Sequence, residues 1–168
     1  MLQRRHALTT IILTIILSMS TSLFADNYTR DFDGSSNYAT MESSSHLSSF
    51  QPTSGITLEA WIYPDANTSD WDGIVSYQEF AGTDKSGYGL FHNNGYARFW
   101  LVINGNEWYV SAAMDANEWT HIAGTYDGDT LKIYANGVEI ESLWKRGAIY
   151  YGALSATSWP RIGKHWDS

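Results

Sequence analysis

Apolar and polar residues alternate along most of the chain, as they do in β-strands with one buried face. From Ile56 to Ile62 every second residue is apolar, and Pro64 ends the run. Because the side chains of a strand point alternately to its two faces, this period predicts a strand with one side in the core. The same pattern predicts five further strands and no helix, at Tyr96–Ile103, Glu107–Ala112, Trp119–Tyr126, Leu131–Ala135 and Val138–Leu143.

Short turn sequences separate these strands. Asn-Gly occurs at positions 94–95, 104–105 and 136–137, and Asp-Gly occurs at 127–128. Asn-Gly favours the two-residue type I′ hairpin, because both of its residues tolerate positive φ. Strands joined by such tight turns run antiparallel, so the chain is predicted to be all-β, an antiparallel two-sheet jelly-roll sandwich.

The first 25 residues have the layout of a secretory signal peptide. Arg4, Arg5 and His6 precede an apolar run over residues 7–17, and small residues lead to a cleavage site at Ala25. The apolar run is shorter than the roughly 20 residues that cross a bilayer. We therefore predict a signal peptide at residues 1–25, a secreted mature chain in an extracellular or periplasmic compartment, and no membrane span after cleavage.

Charge and composition narrow the class of protein further. The net charge is −8, and removal of the leader deletes two arginines and no acid, so the 143-residue mature chain carries −10. Because nucleic acids are negatively charged, a net negative charge predicts that the chain has no nucleic-acid partner. Eight Trp and 11 Tyr exclude intrinsic disorder, and the absence of Cys excludes disulfides and Cys-based zinc sites. Residues 26–168 are predicted to form one domain that is stabilised by its core.

Four segments, in their order along the chain, resemble the laminin-G-like, concanavalin-A-like jelly-roll domains of secreted proteins. These are Phe32-Asp33-Gly34 with Tyr38-Ala39, Ile56–Pro64 (ITLEAWIYP), Trp119–Gly128 (WTHIAGTYDG) and Leu131–Val138 (LKIYANGV). Together with the later Pro160–Gly163, they extend the resemblance over about residues 30–168. The resemblance implies a sandwich of two curved antiparallel sheets, with ligand sites on the concave face or in loops at the rim.

The chain departs from this family at its carboxyl end. Family members usually continue past the segment that resembles Arg161–Gly163 with a loop and a final strand, whereas this chain ends at Ser168. The resemblance implies that the final strand is missing, which leaves backbone groups unpaired at an open sheet edge. We expect either a C-terminally truncated domain or a partner that completes the open edge.

Catalysis has to be judged from the residues, because the same fold hosts glycoside hydrolases. Retaining hydrolases need two carboxylates about 5 Å apart, and the jelly-roll glucanases that resemble this fold carry an E-x-D-x-x-E run. No acidic i, i+2 pair in this chain has the third acid at i+5, and neither a Gly-x-Ser-x-Gly elbow nor a phosphate-binding Gly-rich loop is present. We expect no enzymatic activity. His121 is interpreted as a packed histidine and His92 as a solvated turn residue.

Aromatic side chains are the candidate ligand contacts, since their faces pack against sugar rings while neighbouring polar groups bind the hydroxyls. Alternation over Tyr96–Ile103 places Arg98 and Trp100 opposite the apolar core face, where a cationic donor beside an indole suits a polar ligand. The alternative is that these aromatics stabilise a half-exposed sheet through cross-strand pairs. The motif residues Trp61 and Trp119 are expected in the core. The predicted ligand-binding set is Trp71, Arg98, Trp100, Trp108 and Tyr109.

Calcium is the candidate cofactor, because the chain has an acidic surplus and Ca²⁺ prefers carboxylate and carbonyl oxygens in flexible loops. Asp84 follows the segment Ile74–Gln78, in a loop that resembles the metal loop of the family. Asp33 lies in the Phe-Asp-Gly turn near the start of the domain. The alternative is that both are solvated acids that keep the protein soluble.

These observations favour an exported, non-catalytic binding module for a glycan or another extracellular surface ligand, with calcium as a candidate cofactor. Two alternatives stay open. One is a glycoside hydrolase on the same fold, and the other is a structural or adhesive fragment with no small ligand of its own.

Overall fold

Ten antiparallel strands form two sheets in the computed structural model, which describes residues 32, 37–40, 48–65, 71–81, 84–152, 154 and 158–163. The six-stranded sheet has the order β1-β10-β3-β4-β5-β6, and the four-stranded sheet has the order β2-β7-β8-β9. The strands are β1 (Ala39–Thr40), β2 (Ile56–Ile62), β3 (Asp72–Ala81), β4 (Asp84–Asn93), β5 (Tyr96–Ile103), β6 (Asn106–Ala113), β7 (Thr120–Tyr126), β8 (Thr130–Ala135), β9 (Val138–Trp144) and β10 (Arg161–Ile162). The predicted all-β sandwich of two antiparallel sheets is confirmed.

The predicted hairpin turns are also confirmed. Asn94, Asn104 and Asn136 have φ of 51°, 50° and 50°, and the glycine after each has φ between 76° and 80°. These positive φ angles at both central residues are those of type I′ turns. They set the register of the β4–β5, β5–β6 and β8–β9 hairpins.

The core lies between the sheets and is formed by the alternate residues that the sequence pattern indicates. From β5, Ala97, Phe99, Leu101 and Ile103 are almost fully buried, and they face Ile122, Leu131 and Ile133 of the four-stranded sheet. The sheets approach closely where Phe99 lies over Gly124, because a Cβ at Gly124 would overlap the phenyl ring.

The strands β3 and β4 are the longest of the fold, yet alternation alone does not reveal them. Along β4, Tyr88, Leu90 and Phe91 are all at most 5% exposed, although Leu90 and Phe91 point to opposite faces. A strand that is buried on both faces loses its alternating pattern, as β4 does here. For the same reason His92, which was predicted to be solvated in a turn, is buried within β4.

The segment after β9 crosses from the four-stranded sheet to the end of the six-stranded sheet. The backbone N–H of Tyr150 donates to the carbonyl of Val102, and the Tyr150 carbonyl accepts from the N–H of Gly87. This insertion between the ends of β4 and β5 places the Tyr150 side chain against Val102 and its neighbours. The segment thereby covers part of the six-stranded sheet on the side that faces away from the core.

The two sheets are joined at one edge by a side chain. Glu141 of β9 accepts a hydrogen bond of 2.6 Å from the backbone N–H of Ser111 on β6, so an edge donor of the six-stranded sheet is satisfied from the other sheet. At the opposite edge of the four-stranded sheet, β2 has one described neighbour, β7. The predicted truncation and the predicted partner at an open edge are not tested by this arrangement.

Residues 1–31 are not described by the structure. The predicted signal peptide at residues 1–25 lies outside the described residues. No helix among the described residues has the length and apolar character needed to cross a bilayer.

Candidate functional site

The candidate site lies on the outer face of the six-stranded sheet, which is the face turned away from the four-stranded sheet. On β5 the outer positions are Arg98, Trp100 and Val102, as alternation predicted, since Phe99 and Leu101 lie in the core. Register places Phe91 of β4 and Ser111 of β6 on either side of Arg98. The outer face therefore carries a row of aromatic residues with one arginine among them.

Arg98 lies against two aromatic rings that also contact each other. Its guanidinium carbon is 5.1 Å from the ring centre of Trp71 and 5.0 Å from that of Tyr109. The two rings are 6.4 Å apart and nearly perpendicular, at 82°. We call these three residues the Arg98 surface. Contacts at these distances are cation–π interactions, which hold the cation in a fixed position.

The Arg98 surface is partly open to solvent. Tyr109 is 46% exposed, and Trp71 and Arg98 are partly buried. The Nε atom of Arg98 is buried and has no hydrogen-bond partner among the described residues. The surface thus presents the ring of Tyr109 to solvent, with the partly buried Arg98 and Trp71 beside it.

A buried aromatic cluster supports the Arg98 surface from below. Phe91, Trp100 and Val102 are at most 4% exposed, and Trp71 and Tyr150 pack against them. The ring of Trp71 contacts Phe91 edge-on at 5.6 Å, and Phe91 contacts Trp100 at 6.4 Å. Trp71 therefore belongs both to the open surface and to the layer beneath it.

The exposure that the sequence predicts for Trp100 is wrong. Trp100 lies on the predicted face but is only 4% exposed. Its indole Nε1 donates a 3.1 Å hydrogen bond to Oε1 of Glu107, whose other oxygen pairs with Nζ of Lys85. The polar atom of the indole is already used within the protein, and the ring lies in the buried cluster beside Phe91.

Trp108 does not join the other predicted site residues. It alternates with Tyr109 along β6 and so lies on the inner face, where it packs against the core. Nζ of Lys145 lies 3.7 Å from the centre of its ring. Of the five predicted ligand contacts, the structure brings three together at the Arg98 surface, places Trp100 below them, and turns Trp108 to the other side.

The two tryptophans that were expected in the core are exposed. Trp61 is 64% exposed and Trp119 is 47% exposed, on the outer face of the four-stranded sheet. The ring of Trp61 contacts His121 at 5.3 Å, and that of Trp119 contacts Tyr63 at 5.5 Å. We call these four residues the Trp61 surface. Alternation along β2 could have indicated it, because Trp61 shares its face with the polar Thr57 and Glu59.

The predicted calcium ligands are not gathered into a site by the described residues. Asp84 is exposed and begins β4, where it pairs with Ala81, rather than lying in a loop. Asp33 lies outside the described residues. Among the residues that are described, no three His, Asp or Glu side chains come close enough to share a metal ion. Calcium stays a prediction.

A polar groove of about 400 Å³ lies at the rim of the sandwich, away from both aromatic surfaces. Its charged groups are engaged within the protein: Arg146 pairs with Asp129 at 3.3 Å, and Asp127 accepts hydrogen bonds from the N–H groups of Asp129 and Thr130. These two N–H groups lower the pKa of the Asp127 carboxyl. The lining consists of Thr53, Ser54, Asp127, Gly128, Asp129, Arg146, Gly147 and Ala148.

Several solved structures have a similar fold at low sequence identity. A sialidase carbohydrate-binding module (CBM40) from Ruminococcus gnavus, bound to α2,3-sialyllactose, is 13% identical with a TM-score of 0.53 over 69% of this chain and 65% of that one. Domain 4 of the arabinanase AbnA from Geobacillus stearothermophilus, in complex with arabinotriose, is 18% identical with a TM-score of 0.46, covering 70% and 55%. Mouse laminin α1 domains LG4-5 are 12% identical with a TM-score of 0.48, covering 84% and 38%. This chain thus spans less than two thirds of each of these structures.

Sequence comparison identifies the family directly. No curated protein matches the chain. A laminin-G-like family model, described as the concanavalin A-like lectin/glucanases superfamily, matches residues 33–168. This match covers most of the sequence and agrees with the two-sheet antiparallel fold. The chain belongs to the concanavalin A-like lectin/glucanases superfamily, within its laminin-G-like family.

Proposed function

We propose that this chain is a non-catalytic carbohydrate-binding module and that the Arg98 surface is its binding site. The observation that carries the proposal is the contact of Arg98 with the rings of both Trp71 and Tyr109 on the outer face of the sheet. Aromatic faces pack against the C–H groups of a sugar ring, and a guanidinium donates several hydrogen bonds to oxygens. Apolar area with a few fixed polar groups is the general composition of small-ligand sites.

The carboxylates of the outer face support a binding role over hydrolysis. Along β4, β5 and β6, all of which are described, the outer face carries a single carboxylate, Glu107, and it is held by Trp100 and Lys85. Glycoside hydrolases of both stereochemical types place two carboxylates on either side of the scissile bond. Release of sugar products that is abolished by Glu107→Gln would instead favour the hydrolase alternative.

The predicted export of the chain is part of this proposal. A signal peptide at residues 1–25 delivers the domain to the compartment in which extracellular glycans are found. The expected partner is accordingly a glycan or another extracellular surface ligand. Amino-terminal sequencing of the protein recovered from outside the producing cell tests this, with cleavage after Ala25 as the expected result.

Calcium is not required for binding at the Arg98 surface as we propose it. Asp84 lies seven residues along β4 from Phe91, the neighbour of Arg98, which is roughly 23 Å in an extended strand. A calcium ion at Asp84 would therefore not contact a ligand on the Arg98 surface. Calorimetric titration of the purified protein with Ca²⁺ tests the metal prediction separately from glycan binding.

The test of the proposal is glycan binding by the wild type and by two matched variants. We expect Tyr109→Ala to weaken binding to a glycan array by about tenfold or more, because it removes one of the two aromatic rings of the Arg98 surface. Trp61→Ala is the control, since it removes an exposed tryptophan from the opposite sheet. Melting curves confirm that both variants are folded.

Two results would contradict the proposal. Loss of binding in Trp61→Ala with full binding in Tyr109→Ala would place the site on the four-stranded sheet. Failure of the folded wild-type protein to bind any glycan would favour the structural or adhesive alternative.

A further inference from the structure

Among the described residues, no carboxylate forms an ion pair with Arg98. Lys85, Lys132 and Arg146 each contact an acidic side chain, namely Glu107, Glu139 and Asp129. Arg98 contacts aromatic rings, and among the described residues it makes no ion pair. A partly buried cation that keeps its charge is stabilised when an anion binds beside it, and more strongly so than a cation in water.

Two described acids around the outer face are engaged by other groups. Glu107, on the same face, accepts from Trp100 and pairs with Lys85. Glu141 approaches from β9 and accepts from the backbone N–H of Ser111, the residue opposite Arg98 on β6. Within the part of the chain that the structure describes, the charge of Arg98 is therefore available to a ligand.

The geometry of Arg98 also suits a carboxylate. A guanidinium is planar, and its parallel N–H groups match the two oxygens of a carboxylate. The rings of Trp71 and Tyr109 hold this group in place before any ligand arrives, so little side-chain entropy is lost on binding. The same rings supply the apolar area that a sugar ring contacts. The same site thus has a group that binds a carboxylate and rings that contact a sugar.

We propose that the Arg98 surface selects glycans whose sugars carry a carboxylate, such as uronic acids. This inference rests on the proposed function. The sugar ring packs on Tyr109 and Trp71, and the carboxylate pairs with the guanidinium of Arg98. A neutral sugar packs on Tyr109 and Trp71 but has no carboxylate to pair with Arg98. It therefore leaves the guanidinium partly desolvated.

The net charge of −8 does not decide this preference. Charges that lie further than about 8 Å apart are largely screened at physiological ionic strength. The excess of acids therefore slows the approach of an anionic polymer, whereas the groups within contact distance determine the affinity.

The test compares polymers that differ in the carboxylate alone. Polygalacturonate, alginate and hyaluronan are each measured beside their carboxyl-reduced forms, together with a set of neutral polysaccharides. We expect at least one uronate polymer to bind about tenfold or more tightly than its reduced form, the usual range for a charge-assisted hydrogen-bonded pair.

Three variants assign the preference to Arg98. Arg98→Gln is expected to bind the charged and reduced polymers equally. Arg98→Lys keeps the charge without the planar fork and is expected to give an intermediate ratio. Lys132→Gln removes a cation from the other sheet and is expected to keep the wild-type ratio. The ratio between the two polymers separates ligand recognition from a general loss of stability, which would weaken both.

The possible outcomes separate this inference from the proposed function. Equal binding of charged and reduced polymers by the wild type, with both weakened by Tyr109→Ala, overturns the carboxylate preference and leaves the glycan site standing. A preference that survives Arg98→Gln overturns the assignment to Arg98. Binding to no charged or neutral polymer overturns the inference together with the proposed function.

Discussion

The indole of Trp100 donates its hydrogen bond to Glu107, 3.1 Å away, and so fixes the layer on which the Arg98 surface rests. The two residues lie on neighbouring strands of the six-stranded sheet, and Trp100 is 4% exposed while the side chain of Glu107 is 36% exposed. A tryptophan that was expected to contact a ligand thereby becomes part of the framework. The consequence is that substitutions of Trp100 act through stability.

We predict that Trp100→Ala destabilises the fold by about 3–5 kcal/mol, the usual cost of emptying a buried aromatic position. Trp100→Phe keeps a ring against Phe91 but loses the hydrogen bond to Glu107, so we expect a smaller loss of about 1–2 kcal/mol. Urea unfolding measures both. Loss of glycan binding in a Trp100→Ala protein of unchanged stability would contradict this interpretation and restore Trp100 as a ligand contact.

The sequence predicted the strands and turns of the fold better than it predicted how deeply individual side chains are buried. Alternation and Asn-Gly turns are local properties, so they indicated β2 and β5–β9 and three hairpins correctly. Alternation also assigned Arg98 and Trp100 to the correct face. It could not show that Trp100 is buried, because Trp71 and Tyr150 pack against the cluster of Phe91, Trp100 and Val102 from distant parts of the chain.

The errors at Trp61 and Trp119 have a different cause. Their burial was expected from membership of family motifs, whereas the pattern of β2 places Trp61 on the polar face with Glu59. The side-chain period of a strand decides orientation, and a conserved-looking motif does not. The site could therefore be predicted at the level of faces and residue types, but the pairing of Arg98 with Trp71 needed the tertiary structure.

Tryptophan fluorescence tests these orientations. Trp61, at 64% exposure, and Trp119, at 47%, are accessible to a polar quencher in the folded protein, whereas Trp100 is not. We expect Trp61→Phe and Trp119→Phe each to reduce the fraction of the emission that acrylamide quenches, and Trp100→Phe to increase it. An unchanged quenchable fraction in Trp61→Phe would show that this residue is covered in solution.

Tyr126 connects the β7–β8 turn to the segment that follows β9. Its hydroxyl lies 2.6 Å from the carbonyl oxygen of Gly147 and 2.9 Å from those of Gly128 and Lys145. We predict that Tyr126→Phe destabilises the fold by about 1–3 kcal/mol, because the hydrogen bond from the hydroxyl to these partly buried carbonyls is lost. Tyr134→Phe is the control, since its hydroxyl is 3.5 Å from Glu139 in an exposed position, and we expect a change within about 0.5 kcal/mol. Equal effects of the two substitutions on the free energy of unfolding would contradict the structural role of Tyr126.

Three tyrosines pack together at the edge of the core. The ring of Tyr88 lies 6.0 Å from Tyr77 and 6.3 Å from Tyr151, and its hydroxyl donates to the carbonyl of Phe50. Burial, with a smaller contribution from Tyr77, raises the pKa of Tyr88 from 10.0 to about 12. Burial likewise raises the pKa of Tyr151, with Tyr88 and Tyr77 adding to the effect.

These pKa shifts predict alkaline unfolding. The phenol of Tyr88 loses its proton near pH 10 in the unfolded chain but near pH 12 in the folded one. Its contribution to the free energy of unfolding is therefore complete below pH 10 and is lost as the pH rises from 10 to 12. We therefore expect the free energy of unfolding, measured in urea at a series of pH values, to be flat up to about pH 9.5 and to fall steadily above it. The free energy of unfolding of Tyr88→Phe is expected to be about 1 kcal/mol lower than that of the wild type at neutral pH, since the variant lacks the hydrogen bond to Phe50. Its free energy of unfolding falls less steeply above about pH 9.5, because one titrating phenol is gone. A Tyr88→Phe curve parallel to the wild-type curve would mean that this buried phenol does not govern the alkaline limit of the fold.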